Sequence, residues 1–335
     1  MPIVSFIVAI YNSMPYLEKC LDSLRNQTIK DIEIICVNDC SPDNSLEYIN
    51  SIAQIDSRVK VVNHTTNKRQ GGAWNSGVGI ATGKYLSFVD ADDWVDLDYC
   101  ERISSIMDED IICASKHYLG DKQSTLIDRE KFNDVNGDIR KYILLNGLPF
   151  ITSFIKRSLI IDNSFKFIEN NMYHDFMTIL LYFYTDKIAI YEKPGYHYRT
   201  DNISIQRSMN QTGFWGRLEV AKIEHEALVK QVNYNKYKDA IDYNFYCLFY
   251  RNSLIRAFYG YSILPWDHIN HIIEETGIIV PNIKDDKYYN NRFSDLSLLM
   301  RMPILLFENL PRPVITVLHW LYIKTRIVLK IFHGN

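Results

Sequence analysis

Three carboxylates follow a strand-like run near residue 90. Residues 84–89 alternate in polarity and are rich in β-branched and aromatic side chains, which predicts a buried strand. Asp90, Asp92 and Asp93 come directly after it. Ligands of open α/β sheets bind outside the carboxyl ends of the strands, and hard divalent cations prefer carboxylate oxygens. Position and chemistry agree on a metal site, but an acidic loop with Asp92 or Asp93 as the N-cap of the next helix explains the same residues.

Length and composition limit the classes of protein that need to be considered. The 335 residues are 47% hydrophobic, which is enough for a large core in one or two domains. The formal net charge of −3 argues against a nucleic-acid-binding domain with a broad basic face. Six cysteines without a CxxC pair indicate reduced thiols and no soft-metal site.

The amino-terminal segment reads as a strand because it has no basic region before its apolar run. No uncharged apolar stretch is long enough to span a bilayer, so we expect the protein to stay in the compartment where it is made.

Predicted strands and helices, which must position the carboxylates, alternate over the first 98 residues. The pattern predicts strands at residues 4–10, 32–37, 59–62 and 84–89. A helix is predicted over about residues 15–27, a second one begins after Ser41 as N-cap and Pro42, and residues 71–81 form a small-residue loop entering a tightly packed helix. This βαβαβαβ order implies a parallel sheet with right-handed crossovers.

The regular alternation of predicted strands and helices weakens after residue 98. Further strands are predicted at residues 111–114, 151–155 and 187–191, with a buried helix over residues 176–184, and the chain beyond residue 210 is expected to be mostly helical.

The tail from Pro311 to Asn335 is amphipathic and basic. On a helical wheel one face carries seven apolar residues, namely Val314, Val317, Leu318, Leu321, Val328, Leu329 and Phe332. Arg312, Arg326 and Lys330 lie roughly opposite. Such a helix can lie in a membrane interface, but it can equally dock on the enzyme body or on a dimer partner.

Several segments together resemble bacterial family 2 glycosyltransferases of the GT-A fold. The first four matches fall in order and at the family's spacing over the first 100 residues, in residues 4–12, 35–43, 67–77 and 88–94. Two weaker matches, residues 174–176 and 196–204, extend the resemblance to about residue 205. The rest of the chain resembles nothing that can be assigned.

The resemblance implies a nucleotide-sugar site at the strand ends. It places Tyr11 and Asp39 at the nucleotide base and ribose and Asn75 with the donor-binding residues, although Asp39 also suits a helix cap. Asp90 and Asp92 match the family's DxD motif. The implied ligand is Mn²⁺ or Mg²⁺, with Asp92 as direct ligand and Asp90 at the ribose or the metal's water shell. The cation would bridge the donor diphosphate and offset charge on the departing nucleoside diphosphate.

The resemblance also implies a catalytic base. His174-Asp175 matches the family's Glu-Asp pair, whose aspartate takes a proton from the acceptor hydroxyl as it attacks the anomeric carbon. Asp175 precedes an apolar helix, so N-capping is a second and compatible role.

The segment after the last core strand resembles the loop that closes over the donor. Arg199 would pair with the diphosphate, because a guanidinium fork matches phosphate, and His197 would contact the phosphate or the metal. A surface ion pair for Arg199 and a core or surface position for His197 are the alternatives.

Three departures from the family pattern bear on the identity of the donor more than on the type of reaction. Asn38 replaces an aspartate, Trp74 stands where arginine is frequent, and His174 replaces a glutamate.

Taken together, we expect an α/β GT-A fold: a Rossmann-like, mostly parallel catalytic domain over residues 1–210, with a mainly helical extension over residues 211–335. Residues 1–98 would be the nucleotide-binding half, residues 99–210 the acceptor half and residues 311–335 the basic amphipathic tail. The expected activity is metal-dependent inverting transfer of a hexosyl group from a UDP-sugar to an oligosaccharide or lipid-linked glycan in surface polysaccharide synthesis. The expected location is the cytoplasm, peripheral on the inner face of the membrane.

Other classes of function account for fewer of these residues. A non-catalytic nucleotide-sugar-binding partner in a glycan assembly complex is the main alternative, because of the changes at Trp74 and His174. A dinucleotide-binding oxidoreductase is disfavoured because no GxGxxG follows the first strand.

Overall fold

The computed structural model describes residues 1–200 and 211–332. The chain divides into two compact units, Met1–Ser208 and Met209–Asn335. The sequence match at residues 201–204 lies outside the described residues.

Residues 1–200, the described part of the first unit, form eleven strands in two sheets. The strands are β1 (Val4–Ile10), β2 (Ile32–Asn38), β3 (Val59–Asn63), β4 (Tyr85–Asp90), β5 (Trp94–Val95), β6 (Ile111–Ala114), β7 (Lys116–Leu119), β8 (Lys122–Thr125), β9 (Ser153–Lys156), β10 (Ile188–Tyr191) and β11 (Tyr196–Tyr198). The larger sheet has the order β10-β6-β9-β4-β1-β2-β3, and the smaller has the order β5-β11-β7-β8.

The larger sheet is mostly parallel. Strands β1, β2, β3 and β4 are parallel neighbours, and only β9 runs antiparallel to the strands beside it, β4 and β6. Its central strands are almost wholly buried, which explains their continuous apolar sequences. The predicted α/β architecture with a mostly parallel sheet is confirmed, and the four amino-terminal strands lie within a residue of their predicted bounds.

Six helices accompany these strands. They are α1 (Met14–Arg25), α2 (Ser45–Ile55), α3 (Arg69–Ile80), α4 (Arg129–Asp134), α5 (Ile139–Asn146) and α6 (Arg157–Asp162). Short 3₁₀ segments cover Glu101–Ile106, Phe150–Thr152 and Phe176–Phe183.

Two helix starts were predicted wrongly: residues 71–80 are not a loop but lie within α3, which begins at Arg69, and α2 begins later than predicted. Helix α2 begins at Ser45, because Ser41 and Asp43 bond to the loop after β1. Ser41 Oγ accepts from the Asn12 amide at 2.8 Å, and Asp43 Oδ2 accepts from the Met14 amide at 2.9 Å. These bonds join the loops that follow β1 and β2.

The second unit is helical, as expected. Its helices are α7 (Gln211–Val229), α8 (Tyr234–Phe245), α9 (Asn252–Gly260), α10 (Trp266–Ile279), α11 (Lys287–Phe293), α12 (Leu298–Asn309) and α13 (Arg312–Phe332). A π-helical turn, Tyr246–Arg251, joins α8 to α9. Among the described residues, no helix is both long enough and apolar enough to cross a membrane.

A buried carboxylate fastens the amino-terminal ends of three strands. Glu33 on β2 is 3% exposed, and Ser5 on β1 donates to its Oε1 at 2.5 Å. Lys60 on β3 reaches Oε2 at 2.6 Å, and the amides of Thr82 and Gly83 donate to Oε1. Burial by itself raises the pKa of Glu33, but the bonds from Lys60, Ser5 and Thr82 outweigh it and lower the pKa to about 2.

Replacing this carboxylate should destabilise the first unit in a pH-dependent way. We expect Glu33→Gln to lower the free energy of unfolding by about 2–3 kcal/mol at pH 7, since charged hydrogen bonds are lost in a buried place. A lowered pKa stabilises the fold above the ordinary value of 4.5, and this stabilisation disappears as the pH falls towards 2. Denaturant unfolding at pH 7, 5 and 3 should therefore show a shrinking difference from the wild type.

The exposed Glu101 offers a matched control. Glu101→Gln should leave the free energy of unfolding nearly unchanged at all three pH values. A difference for Glu33→Gln that is equally large at pH 3 would contradict the assignment.

Candidate active site

The predicted acidic cluster lies at the carboxyl end of β4. Carboxylate oxygens of Asp90, Asp92 and Asp93 are all within 4.8 Å of one another. Burial raises the pKa of Asp90 well above its usual value, and the charges of Asp93 and Asp92 raise it further. Burial likewise raises the pKa of Asp93 to about 7. The capping alternative for Asp92 and Asp93 is wrong, because the next helical segment has Cys100 at its N-cap position.

Strand β11 holds this cluster in place. The Tyr196 hydroxyl donates to Asp93 Oδ2 at 2.7 Å and accepts from the Asp90 amide at 3.1 Å. The Arg199 amide donates to Asp93 Oδ1 at 2.8 Å. Both oxygens of Asp93 therefore serve to bind the β11 segment, which the sequence did not reveal.

The donor set of the cluster fits a hard divalent cation. It consists of carboxylate oxygens alone, which suit Mg²⁺ or Mn²⁺ better than a soft metal. Asp92 and Asp90 are only partly buried, whereas Asp93 is buried and bonded to β11, so the first two are the more accessible carboxylates of the cluster. The side-chain amide of Gln70, at the start of α3, donates to Asp90 Oδ1 and fixes its orientation.

Arg199 lies beside the cluster, in an aromatic setting. Its Nε donates to the Asp92 carbonyl at 2.6 Å. Its guanidinium carbon is 4.7 Å from the ring centre of Tyr16 and 5.1 Å from that of Trp94. Arg199 thus lies beside the acidic cluster, and its contact with phosphate stays a prediction.

His197 has partners that the sequence did not indicate. Its ring stacks between Trp94 and Tyr118, with ring centres 5.0 and 4.3 Å away, and its Nε2 lies 2.8 Å from Asp96 Oδ1. These contacts belong to the smaller sheet. A contact of His197 with phosphate or metal stays a prediction.

A second group of candidate residues lies where β1 and β2 end. Asp39 follows β2 and is buried, and its Oδ1 accepts from the Lys68 amide and faces His64 Nδ1, both at 2.8 Å. Tyr11 follows β1 and is 48% exposed. The parallel pairing of β2, β1 and β4 brings their carboxyl ends to one edge, so Tyr11, Asp39 and Asp90 share that edge.

Asp175 approaches the acidic cluster from another part of the chain. It is exposed, and its negative charge is close enough to contribute to the raised pKa of Asp90. It stands at the N-cap position of the Phe176–Phe183 segment, yet its side chain makes no capping hydrogen bond. The capping alternative is therefore wrong for its carboxylate, which remains oriented independently of the helix end.

Helix α3 holds the segment that leads to Asp175. The Asn75 side chain both donates to the Phe167 carbonyl and accepts from the Phe167 amide, each at 2.9 Å. Buried Trp74 packs edge-on against His174, with ring centres 4.7 Å apart. A Cβ at Gly71 would lie 2.1 Å from the Ile168 carbonyl oxygen, so only glycine permits this approach. These contacts make Asn75 a support for residues 167–174, and its donor-binding role stays a prediction.

The mostly parallel sheet with its helical carboxyl-terminal unit is the GT-A fold. Residues 5–165, just under half of the chain, match the family model described as "Glycosyl transferase family 2". The predicted resemblance is thereby confirmed.

The chain is similar to several known glycosyltransferases, and these matches cover different fractions of each protein's length. Putative glycosyltransferase EpsH of Bacillus subtilis is 29% identical over 72% of this chain and 73% of its own. The poly(ribitol-phosphate) beta-glucosyltransferase of Bacillus spizizenii is 42% identical over 28% of this chain, but that match covers only 15% of its own length. The crystal structure of S. aureus TarS residues 1–349 with UDP-GlcNAc has a TM-score of 0.70 at 18% identity and 92% coverage of each chain, which shows a shared fold.

A divalent cation should stabilise the acidic cluster measurably. Excess Mn²⁺ is expected to raise the melting temperature by about 5–10 °C at one hundred times its Kd, because it binds the folded state alone. Asp92→Asn should abolish this rise while leaving the metal-free protein at least as stable, since one repelling charge is removed. Differential scanning fluorimetry with and without MnCl₂ measures both effects.

Asp108 is exposed and lies outside the cluster, so Asp108→Asn should keep the full response to Mn²⁺. An undiminished response in Asp92→Asn would rule out the cluster as the metal site.

Proposed function

We propose that this protein is an inverting glycosyltransferase that moves a hexosyl group from a UDP-sugar to a glycan hydroxyl, with a divalent cation held by Asp92 and Asp90. The observation that carries the proposal is the position of Asp175. Its carboxylate makes no capping bond, is exposed, and is close enough to influence the pKa of Asp90. One carboxylate is thus available for proton transfer beside a cluster suited to a cation.

The proposed division of roles follows from these two environments. Asp175 accepts the proton of the acceptor hydroxyl as its oxygen attacks the anomeric carbon, so the new bond forms on the face opposite the leaving diphosphate. The cation, when bound, supplies positive charge for the diphosphate oxygens. Arg199 adds a fixed cation there, since its guanidinium is positioned by the Asp92 carbonyl and by Tyr16 and Trp94.

Asp39 and Tyr11 are proposed to bind the nucleoside. Asp39 Oδ1 accepts from the Lys68 amide, so Oδ2 is the oxygen that would accept from the uracil N–H or a ribose hydroxyl. Tyr11 is exposed at the same edge. The choice of UDP is supported by TarS, whose crystal structures contain UDP-GlcNAc and UDP.

Turnover by an Asp175 variant tests the reaction. We expect Mn²⁺-dependent UDP release from a panel of UDP-sugars with glycan acceptors, and a fall in kcat of about 10²–10⁴-fold in Asp175→Asn, because general-base catalysis contributes that much. UDP binding, measured separately by calorimetry, should be nearly unchanged in this variant.

Asp162→Asn changes an exposed aspartate elsewhere in the first unit and should retain activity. UDP binding without any turnover in the wild type, together with unchanged cellular glycans in Asp175→Asn, would favour the non-catalytic binding partner instead.

The proposed acceptor is an oligosaccharide or lipid-linked glycan of a surface polysaccharide. The relative from Bacillus spizizenii is named for a polymeric acceptor, poly(ribitol-phosphate). We further propose that the enzyme works in the cytoplasm at the inner face of the membrane, where such acceptors are assembled, and that α13 provides the contact.

Helix α13 docks on its own unit by one face and leaves exposed the four residues of its predicted apolar face whose side chains the structure describes. Ile315 and His319 are each 2% exposed, and His319 Nε2 donates to the carbonyls of Phe258 and Tyr261. Four apolar side chains at helical spacing are exposed on the other side: Val314, Val317, Leu318 and Leu321. Docking on the enzyme body therefore accounts for one side of the helix alone.

The charges around this exposed face favour an anionic lipid surface. Residues 311–335 contain no Asp or Glu and four Lys or Arg. Trp320 is 56% exposed beside the apolar row, and Lys324 Nζ lies 5.6 Å from its ring centre, an arrangement typical of side chains at the membrane interface. A basic segment gains about 1 kcal/mol per Lys or Arg near an anionic membrane.

Vesicle sedimentation tests this contact. We expect the full-length protein to bind phosphatidylcholine vesicles that contain 30% phosphatidylglycerol. The double change Val317→Asp and Leu321→Asp should weaken binding at least about tenfold, because apolar burial is lost and the anionic lipids repel the new carboxylates. The fully exposed Val232 and Ile263 provide a control pair, whose change to Asp should have little effect.

If the α13 variant instead converts a dimer to a monomer in light scattering, and no vesicles are bound by the wild type, the face is an interface between two copies. The membrane proposal would then be wrong.

A further inference from the structure

Three polar side chains form a hydrogen-bonded row behind the proposed nucleoside site. Asp39 Oδ1 lies 2.8 Å from His64 Nδ1, and His64 Nε2 lies 2.8 Å from Ser76 Oγ. The row joins three elements, since Asp39 follows β2, His64 follows β3 and Ser76 belongs to α3. The side chains of His64 and Asp39 are only 8% and 4% exposed.

The chemistry of the row sets the direction of its hydrogen bonds. An ionised carboxylate only accepts hydrogen bonds, so His64 Nδ1 carries a hydrogen and donates a hydrogen bond to Asp39. In the neutral ring Nε2 then accepts from the Ser76 hydroxyl. The Lys68 amide donates to the same Asp39 oxygen at 2.8 Å. Two donors on Oδ1 fix the rotation of the carboxylate, and neither of these bonds uses Oδ2.

The outer end of the row is anchored on a rigid helix. Ser76 precedes Gly77, where α3 packs so closely on β1 that an added Cβ would lie 2.5 Å from Ile7 Cγ2. The backbone supports the inner end, because the His64 amide donates to the Asn38 carbonyl and the Asp39 amide donates to the Ile10 carbonyl, both at 2.9 Å. The imidazole is thus held between a fixed helix and the carboxylate that it orients.

We infer that His64 is a positioning residue for donor binding: it holds the Asp39 carboxylate in the orientation that presents Oδ2 to the nucleoside. The inference rests on the proposed function, in which Asp39 binds the nucleoside. His64 touches neither the nucleotide nor the reacting atoms and acts through Asp39, so its removal affects donor affinity and not the chemical step. A pre-oriented acceptor loses less rotational freedom when the ligand binds.

Two amide substitutions separate this role from simple packing. The side-chain nitrogen of asparagine takes the place of His Nδ1, whereas that of glutamine takes the place of Nε2. His64→Asn therefore keeps the donor to Asp39, and His64→Gln loses it while keeping a group near Ser76.

Calorimetric titration of the full-length protein with UDP and Mn²⁺ gives the main measurement. We expect the Kd for UDP to rise about tenfold in His64→Gln and to stay within about threefold of the wild type in His64→Asn, because a carboxylate without this donor has to lose its rotational freedom when UDP binds. KM for the UDP-sugar should follow the same order, with kcat changed less than about threefold. His117, a buried histidine of β7, is the control: His117→Gln should leave the Kd unchanged even where it lowers the melting temperature.

Equal losses in His64→Gln and His64→Asn, or a fall in kcat with an unchanged Kd, would overturn the inference. If His64→Gln does not fold, His64→Asn decides alone: a Kd within threefold of the wild type supports the role, and a tenfold loss refutes it.

Failure of the proposed function is recognised in the wild type before any variant is compared. A wild type that binds GDP, ADP or CDP and not UDP refutes the proposed donor, and the His64 comparison is then made with the nucleotide that binds. A wild type that binds no nucleoside diphosphate refutes both.

Discussion

Three carboxylates within 4.8 Å of one another repel, and burial adds the cost of removing their charge from water. Much of the first unit compensates for this concentration of charge. The Tyr196 hydroxyl and the Arg199 backbone amide donate to the Asp93 carboxylate. The Gln70 side-chain amide donates to the Asp90 carboxylate, and the Tyr196 hydroxyl accepts from the Asp90 backbone amide. The bonds from Tyr196 and Arg199 bring residues about a hundred positions apart to one place. Within the cluster, Asp93 therefore binds β11 to the end of β4, whereas Asp90 and Asp92 are the residues that suit a cation.

The sheet supplies the second constraint, because its parallel strands deliver their carboxyl ends to one edge. Ser41 and Asp43 join the loops after β1 and β2 there. Burial raises the pKa of Asp43, but the hydrogen bonds from Ser41, Ser45 and Met14 outweigh it and lower the pKa to about 2. Two residues in these loops, Asn12 and Cys40, have positive φ values of 51° and 56°. Side-chain bonds hold a backbone conformation here that non-glycine residues seldom adopt.

The extent of successful prediction follows the length and regularity of each element. Strands β1, β2 and β4 are predominantly apolar runs between clear turns, so their bounds and the location of the acidic cluster were predictable. The smaller sheet was not, because its strands have two to four residues and too few alternating positions to show a period. Ser41-Pro42 matched a helix start locally, but its bonds run to a loop 29 residues away. The partners of Asn75 and His197 likewise depend on the tertiary fold, which no local spacing encodes.

The departures at Trp74 and His174 have one structural consequence. Trp74 is almost fully buried and contacts Phe88 on β4, Phe167 and His174, with ring centres 4.7–5.0 Å apart. Burial lowers the pKa of His174, although the charge of Asp175 opposes this, so a neutral ring packs on the indole. An aromatic contact between Trp74 and His174 therefore supports the residue next to Asp175. In the proposed function, Arg199 and a cation held by Asp90 and Asp92 would supply the positive charge for the diphosphate, because Trp74 brings none where the family often has an arginine.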